Sequence, residues 1–257
     1  MCKPSSSPWL SIVCVVKDDA QGLQRTVDSV IGQSFDSWEM MLKPAPSSDE
    51  TQSLALAMAQ NHHQISLISG QDSGLYDAMN IALKQAAGAY LLMLNAGDVL
   101  ASGDSLQGAY DCIGHDIQSP DIAFFDTQVR VEGGRGYLRK ARNPSTVRYG
   151  QPAIHQSTLF RTMLHQQFPY LHEVYPSIAD YVSLAMMMKA GASAKRYNQT
   201  LSIFEVTRHS ASFVHQARAR AEFDRAIAQI WALPAYLRLF FRVRRWLAQQ
   251  FVRMLVR

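Results

Sequence analysis

Short apolar runs alternate with amphipathic segments through the first hundred residues. The apolar runs predict four buried strands, at 11–16, 38–43, 65–70 and 89–95. The segments between them show helical spacing or capping residues and predict helices near 23–31, 48–59 and 73–87. Strands separated by helices of this length indicate βαβ units, and hence an α/β fold with a mainly parallel sheet flanked by helices.

The second half of the chain is less regular. An apolar run at 121–131 predicts a further strand. The glycine pair at 133–134, followed by YLRKARN, predicts a hairpin or a mobile loop. From 151 to 213 the pattern is mixed, and Pro234 ends a helical pattern ahead of a basic segment.

Composition places the chain among globular proteins. Its 257 residues are 47% hydrophobic and 18% charged, which allows one large core and is too apolar for a disordered chain. The three cysteines, Cys2, Cys14 and Cys112, have neither metal-site spacing nor the density of a disulfide framework, which suits a reducing cytosol. The apolar run at 9–16 is too short to span a bilayer.

Positive charge is concentrated at the end of the chain. The formal net charge is +4, but residues 235–257 contain six arginines and no acid, which leaves −2 for residues 1–234. This argues against a nucleic-acid-binding body. We expect a globular domain over 1–215 and a helical, basic, amphipathic tail over 216–257. The tail is predicted to lie on an anionic membrane surface, the alternative being a helix that packs on the body or a partner.

Two common nucleotide-binding signatures are absent from the sequence. No G-x-G-x-x-G follows the first strand, and the chain contains no G-x-x-x-x-G-K-[ST]. Where the first strand ends, the chain has Lys17, Asp18 and Asp19 instead. The sequence therefore has neither a Rossmann fingerprint nor a P-loop.

The stretch QDSGLYDAMNIALKQAAGAYLLMLNAGD, at 71–98, strongly resembles the family 2 glycosyltransferases of colanic-acid and exopolysaccharide type. The similarity extends to SIVCVV, SVIGQSFDSWE, PAIHQSTLF and IADYVSLAMMMKAG, and so covers about 9–213. It implies a GT-A fold and inverting transfer of a hexose from a UDP- or GDP-sugar, with Mg²⁺ or Mn²⁺ as cofactor. The implied acceptor is a lipid-linked oligosaccharide in bacterial exopolysaccharide, capsule or O-antigen synthesis. Such an enzyme is expected in the cytoplasm, peripheral on the inner face of the cell membrane.

The apolar run LLMLNAGD ends abruptly in polar residues. By resemblance, Asp98 is the metal ligand, directly or through water, because the family's acidic motif lies at the end of this strand. Asn95 stands where many relatives have the first carboxylate of that motif, and its carbonyl is a further candidate ligand on the donor side. Without the family context, a polar turn or a cap of the next helix is the commoner explanation.

Three polar residues flank the start of the predicted third helix. The resemblance implies that Asp72 contacts the nucleoside end of the donor, and that Asp77 and Asn80 shape the sugar-phosphate pocket. The structural alternative is that Asp72 or Ser73 caps the helix and Asp77 favours its positive N-terminal dipole. The two kinds of role are compatible.

Asp180 occupies the position of the family's catalytic aspartate in IADYVSL. An inverting transfer needs a carboxylate opposite the leaving group to take the proton of the acceptor hydroxyl. The structural alternative is a capping box, because Ser177 and Asp180 have the required spacing.

The acceptor or diphosphate side is assigned by resemblance to four further residues. His155 and Gln156 match a motif near the acceptor, although a buried structural histidine is an equally good explanation of His155. Arg208 and His209 lie where the family often has a loop facing the diphosphate, and a solvated loop is the alternative.

One departure from the family pattern concerns the nucleobase. The second strand usually ends in D-G-x-S-x-D, but alignment on Asp49 places Pro44 at the base-reading aspartate. A proline side chain accepts no hydrogen bond, so the identity of the donor base stays open. The departure motivates a second hypothesis, a non-catalytic protein that binds nucleotide or saccharide in a membrane-associated polysaccharide synthesis complex. Asp98 and Asp180 favour the enzyme.

Overall fold

The structure, a computed structural model, describes residues 7–206, 216–234, 236–237, 239–240 and 243. Its strands are β1 (Leu10–Val16), β2 (Trp38–Pro44), β3 (Ile65–Leu67), β4 (Tyr90–Met93), β5 (Val99–Leu100), β6 (Ile122–Val131), β7 (Tyr137–Arg139), β8 (Thr158–Arg161) and β9 (Ala194–Val206). Its helices are α1 (Ala20–Ile31), α2 (Thr51–Asn61), α3 (Leu75–Leu83), α4 (Ser105–Gly114), α5 (Thr162–Gln167), α6 (Ala179–Lys189) and α7 (Gln216–Trp231). Two short 3₁₀ segments are Pro144–Tyr149 and His155–Ser157.

The nine described strands form one mixed sheet in the order β3-β2-β1-β4-β8-β6-β9-β5, with β7 paired to β6. The first four strands are parallel, as the alternation of strands and helices predicts. Strand β8 then runs antiparallel to both β4 and β6, and β6 is parallel to β9. The sheet is therefore parallel on one side and mixed on the other.

Strand β1 is buried on both faces, which explains its nearly continuous apolar sequence. On one face, Ile12 and Cys14 belong to a core cluster with α1, α2 and α4. On the other face, Val13 and Val15 pack in a cluster with α3. The alternation of neighbouring residues between the two clusters is the period of two expected for a strand.

Helix α1 begins directly after the edge of the sheet. The side chain of Asp19 accepts a hydrogen bond from Gly22 N at 2.8 Å and so caps the first turn. Leu23, Val27 and Val30 are buried at helical spacing against the sheet. This cap orients the helix and leaves the carboxyl end of β1 beside the neighbouring strand ends.

Two predicted elements are shorter in the structure. Strand β3 ends at Leu67, and α3 runs only from Leu75 to Leu83, against predictions of 65–70 and 73–87. Residues 68–74 form a loop instead, in which the side chain of Asp72 accepts a hydrogen bond from Lys43 of β2. The prediction of a hairpin after β6 is confirmed by the antiparallel pairing of β6 with β7.

Helix α7 packs on the body of the protein. Ala226 and Ile227 are buried in a cluster with α6, and Tyr181 lies 4.4 Å from Phe223 between ring centroids. Most residues after Pro234 lie outside the described part of the chain, so both the tail and the predicted boundary at 215 stay predictions. No helix in the described part has the length and apolar character needed to cross a bilayer.

Gly88 lies in the turn between α3, whose C-cap is Lys84, and β4. A Cβ atom at Gly88 would lie 2.6 Å from Ser11 N and 2.7 Å from Leu10 C, both backbone atoms of β1. The amide of Gly88 also donates to Ser11 Oγ at 2.8 Å. Glycine is therefore required for the close approach of this turn to β1.

We expect Gly88→Ala to lower the free energy of unfolding by about 1–3 kcal/mol, because the backbone of β1 must shift to admit the methyl group. Urea denaturation measures the effect. Gly114→Ala is the matched control, since a Cβ there meets nothing within 4 Å. The control should be as stable as the parent or more so, and equal losses in both variants would contradict the steric explanation.

Candidate active site

The carboxyl ends of β1, β2 and β4 meet at one edge of the sheet. Val16 and Pro44 are paired at the ends of β1 and β2, and Leu94 N donates to Val13 O at 2.9 Å just beyond β4. In a parallel sheet, the loops that leave this edge form the usual ligand-binding crevice. The turn at 95–98 belongs to these loops.

The turn at 95–98 is held by a hydroxyl group from α1. Gly97 adopts φ 93°, a conformation that favours glycine, and its amide donates to Thr26 Oγ1 at 3.0 Å. The same hydroxyl group lies 2.8 Å from the backbone oxygen of Asp98, to which it donates. Thr26 is fully buried, so α1 fixes the conformation in which Asn95 and Asp98 leave the strand.

The carboxyl group of Asp98 is 4% exposed. Its Oδ2 accepts a hydrogen bond from Gln156 Nε2 at 2.8 Å, and its Oδ1 accepts one from Glu205 N at 3.3 Å. Burial raises the pKa of Asp98 from 3.8 to about 7, although both hydrogen bonds oppose the rise. A carboxylate in this environment is stabilised by a cation beside it.

Asn95 lies on the same turn as Asp98 and has a side-chain oxygen that is not used in a hydrogen bond among the described residues. Its Oδ1 is buried and has no hydrogen-bond partner among the described residues. An orphaned carbonyl oxygen and a carboxylate on one turn are hard ligands that fit Mg²⁺ or Mn²⁺. In the described part of the chain, no group of three or more His, Cys, Asp or Glu side chains is arranged so that it could hold a metal ion.

Asp72 is held by a buried ion pair. Lys43 Nζ lies 2.7 Å from Asp72 Oδ2 and also donates to Gly70 O at 2.9 Å. The side chains are 1% and 8% exposed, respectively. Lys43 thus ties the loop at 68–74 to the end of β2. No side chain caps α3, so the structural alternative that Asp72 or Ser73 caps this helix is wrong.

Asp77 and Asn80 both have structural partners. Asp77 Oδ2 accepts hydrogen bonds from Ser73 N at 2.8 Å and Ser73 Oγ at 2.9 Å, which hold the start of α3 and lower the pKa of Asp77. Asn80 donates to Tyr170 O and accepts from Tyr170 N, each at 2.9 Å. The predicted sugar-phosphate residues therefore shape the site through the backbone of its neighbouring loops.

Asp180 lies in the first turn of α6 and bonds to residues from two other segments. The hydroxyl of Tyr76 donates to Oδ1 at 2.9 Å, and the amide of Gln151 donates to Oδ2. Ser177 bonds to Glu222 instead, and no side chain caps α6, so the capping-box alternative is wrong. Both oxygens of Asp180 are thus oriented by tertiary contacts.

The predicted acceptor-side pair divides between two partners. Gln156 contacts Asp98, whereas His155 Nε2 lies 2.8 Å from the hydroxyl of Tyr170, which also lies 3.0 Å from His165 Nε2. Burial lowers the pKa of His155, while the charge of Asp180 opposes the shift. His155 is therefore a buried histidine with a structural partner, Tyr170, which is one of the two explanations that the sequence allowed. It is also close enough to Asp180 for that charge to affect its pKa.

The remaining predicted residues lie at the margin or beyond the described chain. Arg208 and His209 lie outside the described residues. Pro44 ends β2 at this edge of the sheet. Asp49 accepts hydrogen bonds from Thr51 N and Ala20 N, and so joins α2 to α1 as a structural residue.

Four residues of the site were missed by the sequence analysis: Thr26, Lys43, Tyr76 and Gln151. A usable signal exists for Lys43, since a charge inside a buried strand requires a partner. Tyr76 lies within the motif GLYDAMN, but its contact with Asp180 spans 104 residues and has no local signature.

Comparisons with known sequences give a consistent picture. Residues 11–190 match the family model described as Glycosyl transferase family 2. A Mycobacterium bovis protein named PGL/p-HBAD biosynthesis glycosyltransferase is 29% identical over 178 residues, which cover 68% of this chain and 64% of that protein. The chain thus spans somewhat less than two thirds of this relative's length.

Solved structures share the fold. Staphylococcus aureus TarS 1–349 in complex with UDP superposes with a TM-score of 0.64 at 15% identity, over 86% of this chain and 70% of that one. The same protein is known in complex with UDP-GlcNAc. The mannosyltransferase PcManGT from Pyrobaculum calidifontis, in complex with GDP-Man and Mn²⁺, gives a TM-score of 0.64 at 14% identity, over 90% and 66%. The predicted GT-A architecture is confirmed.

The raised pKa of Asp98 predicts a pH-dependent stability for the metal-free protein. The carboxyl group is neutral in both the folded and the unfolded chain below pH 3.8, and its ionisation destabilises the folded state as pH rises to about 7. The full difference corresponds to about 4 kcal/mol. Asp98→Asn should therefore equal the parent near pH 4 and exceed its free energy of unfolding near pH 8, measured by urea denaturation. A difference that does not vary with pH would contradict the raised pKa.

Proposed function

The chain belongs to glycosyl transferase family 2, and we propose that it transfers a hexose, with inversion, from a UDP- or GDP-sugar to a lipid-linked oligosaccharide. The observation that supports this most directly is that the carboxyl groups of Asp98 and Asp180 have different surroundings, each suited to a different role. Asp98 is buried, and Asn95, on the same turn, has a buried side-chain oxygen without a hydrogen-bond partner among the described residues, so both are candidate ligands of a cation. Asp180 is oriented on both oxygens by polar donors, as a proton acceptor requires.

The metal and donor side is proposed to consist of Asp98 and Asn95. Mg²⁺ or Mn²⁺ bound there would neutralise the charge of the diphosphate leaving group. Gln156 holds the carboxylate of Asp98 in place, and Thr26 holds the backbone of the turn. Donor contact by Asp72 is proposed for the loop that Lys43 fixes beside the end of β2.

Asp180 is proposed to be the general base. Burial and the charge of Asp180 raise the pKa of Tyr76, so this phenol keeps its proton and acts as a donor. Tyr76 and Gln151 each occupy one lone-pair direction of the carboxylate, which leaves the others for the acceptor hydroxyl. The acceptor oxygen forms a bond to the anomeric carbon, the bond to the diphosphate oxygen breaks, and Asp180 takes the hydroxyl proton.

The hexose and the nucleotide are proposed from the structural neighbours. TarS is known with UDP and UDP-GlcNAc, and PcManGT is known with GDP-Man and Mn²⁺. Both donors are hexose derivatives of a nucleoside diphosphate. In this chain Pro44 offers no side-chain acceptor to a base, so base recognition is proposed to fall to Asp72 and to backbone groups of the same edge.

Peripheral association with the inner face of the cell membrane is proposed for the C-terminal segment. Residues 235–257 contain six arginines and no acid, and Tyr236, Leu239, Phe240 and Val243 are exposed in the described part. Basic residues combined with exposed apolar side chains favour an anionic lipid surface. This location would suit a lipid-linked acceptor.

The non-catalytic alternative is favoured by two observations at the donor side. Pro44 replaces the expected base-reading aspartate, and Asn95 replaces one carboxylate of the metal motif. The orientation of Asp180 by two donors has no use in a binding protein, and it supports the enzyme.

Nucleotide binding is the first test. We expect one of UDP and GDP to bind in calorimetric titrations only with Mn²⁺ present, and Asp98→Ala to weaken this binding at least about tenfold, because a ligand of the cation is lost. Asp28→Ala, which removes an exposed carboxylate on α1, is the control and should bind as the parent does. Absence of binding by a folded parent protein would favour the non-catalytic alternative.

The base is tested separately by Asp180→Asn. This variant keeps the shape of the side chain and should leave nucleotide binding unchanged. The turnover number should fall about 10²- to 10⁴-fold, because the amide takes no proton from the attacking hydroxyl. Release of nucleoside diphosphate by slow donor hydrolysis provides the measurement without a known acceptor. Turnover equal to that of the parent would contradict the assignment.

A further inference from the structure

Two arginines bond to the backbone of Gln151, the residue whose side chain orients Asp180. Arg139 ends β7, and Arg142 follows three positions later in the segment YLRKAR. Nη2 of Arg139 and Nη2 of Arg142 both donate to the backbone oxygen of Gln151, at 3.3 Å and 2.5 Å. The side chain of the same glutamine donates to Asp180. Gln151 therefore links the guanidinium groups of Arg139 and Arg142 to the carboxylate of Asp180.

Among the described residues, no acidic side chain neutralises the positive charge of Arg139. In the part of the chain that the structure describes, no carboxylate oxygen lies within 4 Å of this guanidinium group. The nearby carboxyl group of Asp126 accepts a hydrogen bond from Ala141 N at 2.7 Å. Burial and the charge of Arg142 both lower the pKa of Arg139. The guanidinium groups of Arg139 and Arg142 thus share one neutral carbonyl oxygen, that of Gln151.

A third guanidinium group borders the pair. Arg196, on β9, donates from Nη1 to Ala141 O at 3.3 Å, between Arg139 and Arg142 in the sequence. The fold therefore brings positive side chains from β7, from the segment after it and from β9 to one place. Such convergence without an acidic partner at Arg139 is unfavourable unless an anion joins it.

We propose that Arg139 and Arg142 bind a phosphate group of the acceptor substrate. A guanidinium group carries five N–H donors in a planar fork that matches the oxygens of a phosphate, and the hydrogen bond of Arg139 to Gln151 O uses one of them. Two such forks suit the several oxygens of a phosphate or a diphosphate better than a single carboxylate.

The position of the pair assigns this phosphate to the acceptor rather than to the donor. The proposed donor side lies at Asp98 and Asn95, whereas the arginines reach the site through Gln151, next to Asp180. A phosphate held there would place a sugar attached to it beside the proposed base. This assignment rests on the proposed function, since Asp180 defines the acceptor side.

The test is calorimetric binding of inorganic pyrophosphate, farnesyl diphosphate and neutral farnesol, in the presence of Mg²⁺ and excess UDP and GDP. The excess nucleotides occupy the donor site. We expect both diphosphates to bind and farnesol not to bind. Tighter binding of farnesyl diphosphate would identify a lipid-linked diphosphate as the ligand, and equal binding of the two would identify the phosphate group alone; both support the proposal.

Variants separate the arginine pair from general charge. Arg139→Met should weaken diphosphate binding at least about tenfold, and Arg139→Lys, which keeps the charge without the planar fork, should give an intermediate loss. Arg130→Met removes an exposed arginine of the adjacent β6 and should change nothing. Circular dichroism checks that each variant is folded. If Arg139→Met does not fold, Arg139→Lys still tests the proposal.

Three results would overturn the proposal. They are no diphosphate binding by the parent protein, diphosphate binding that Arg139→Met and Arg139→Lys leave unchanged, and a loss of UDP or GDP affinity in these variants, which would assign the arginines to the donor. Titration of UDP and GDP without competitor tests the proposed function by itself. A parent that binds nucleotide but no diphosphate probe would therefore contradict only the acceptor phosphate site.

Discussion

The parallel pairing of β1 with both β2 and β4 is the constraint on which the site depends. Parallel strands end at the same edge, so the loops after all three strands leave the sheet side by side. Lys43 reaches Asp72 from the end of β2, and the turn of Asp98 leaves the end of β4. The same pairing buries β1 on both faces, which makes this edge a rigid support for the site.

The antiparallel part of the sheet completes what the parallel part begins. Strand β8 pairs with β4, and the 3₁₀ segment just before β8 brings Gln156 to Asp98. Strand β9 brings the backbone of Glu205 to the other oxygen of the same carboxyl group. The proposed metal ligand is thus enclosed by the second half of the chain. That enclosure, more than any neighbouring charge, raises its pKa.

The proposed acceptor side is organised around the carboxylate of Asp180 and the residues that orient it. Tyr76 connects Asp180 to α3, the helix that also contains Asp77 and Asn80. Gln151 connects Asp180 to the guanidinium groups of Arg139 and Arg142. The proposed base, Asp180, is therefore linked to α3 on one side and to the two arginines on the other. A substrate that binds on either side can help to orient its carboxylate.

The sequence by itself determined the parallel strands, the amphipathic α1, and the location of Asp98 and Asp180 within family motifs, because these depend on local periodicity and on contiguous residues. Only the tertiary structure decided how those groups are used. The contacts of Gln156 with Asp98, Tyr76 with Asp180 and Asn80 with Tyr170 span 58, 104 and 90 residues. A local pattern cannot encode the partner of a buried polar group at such separations, since that partner is chosen by which strands the sheet places side by side.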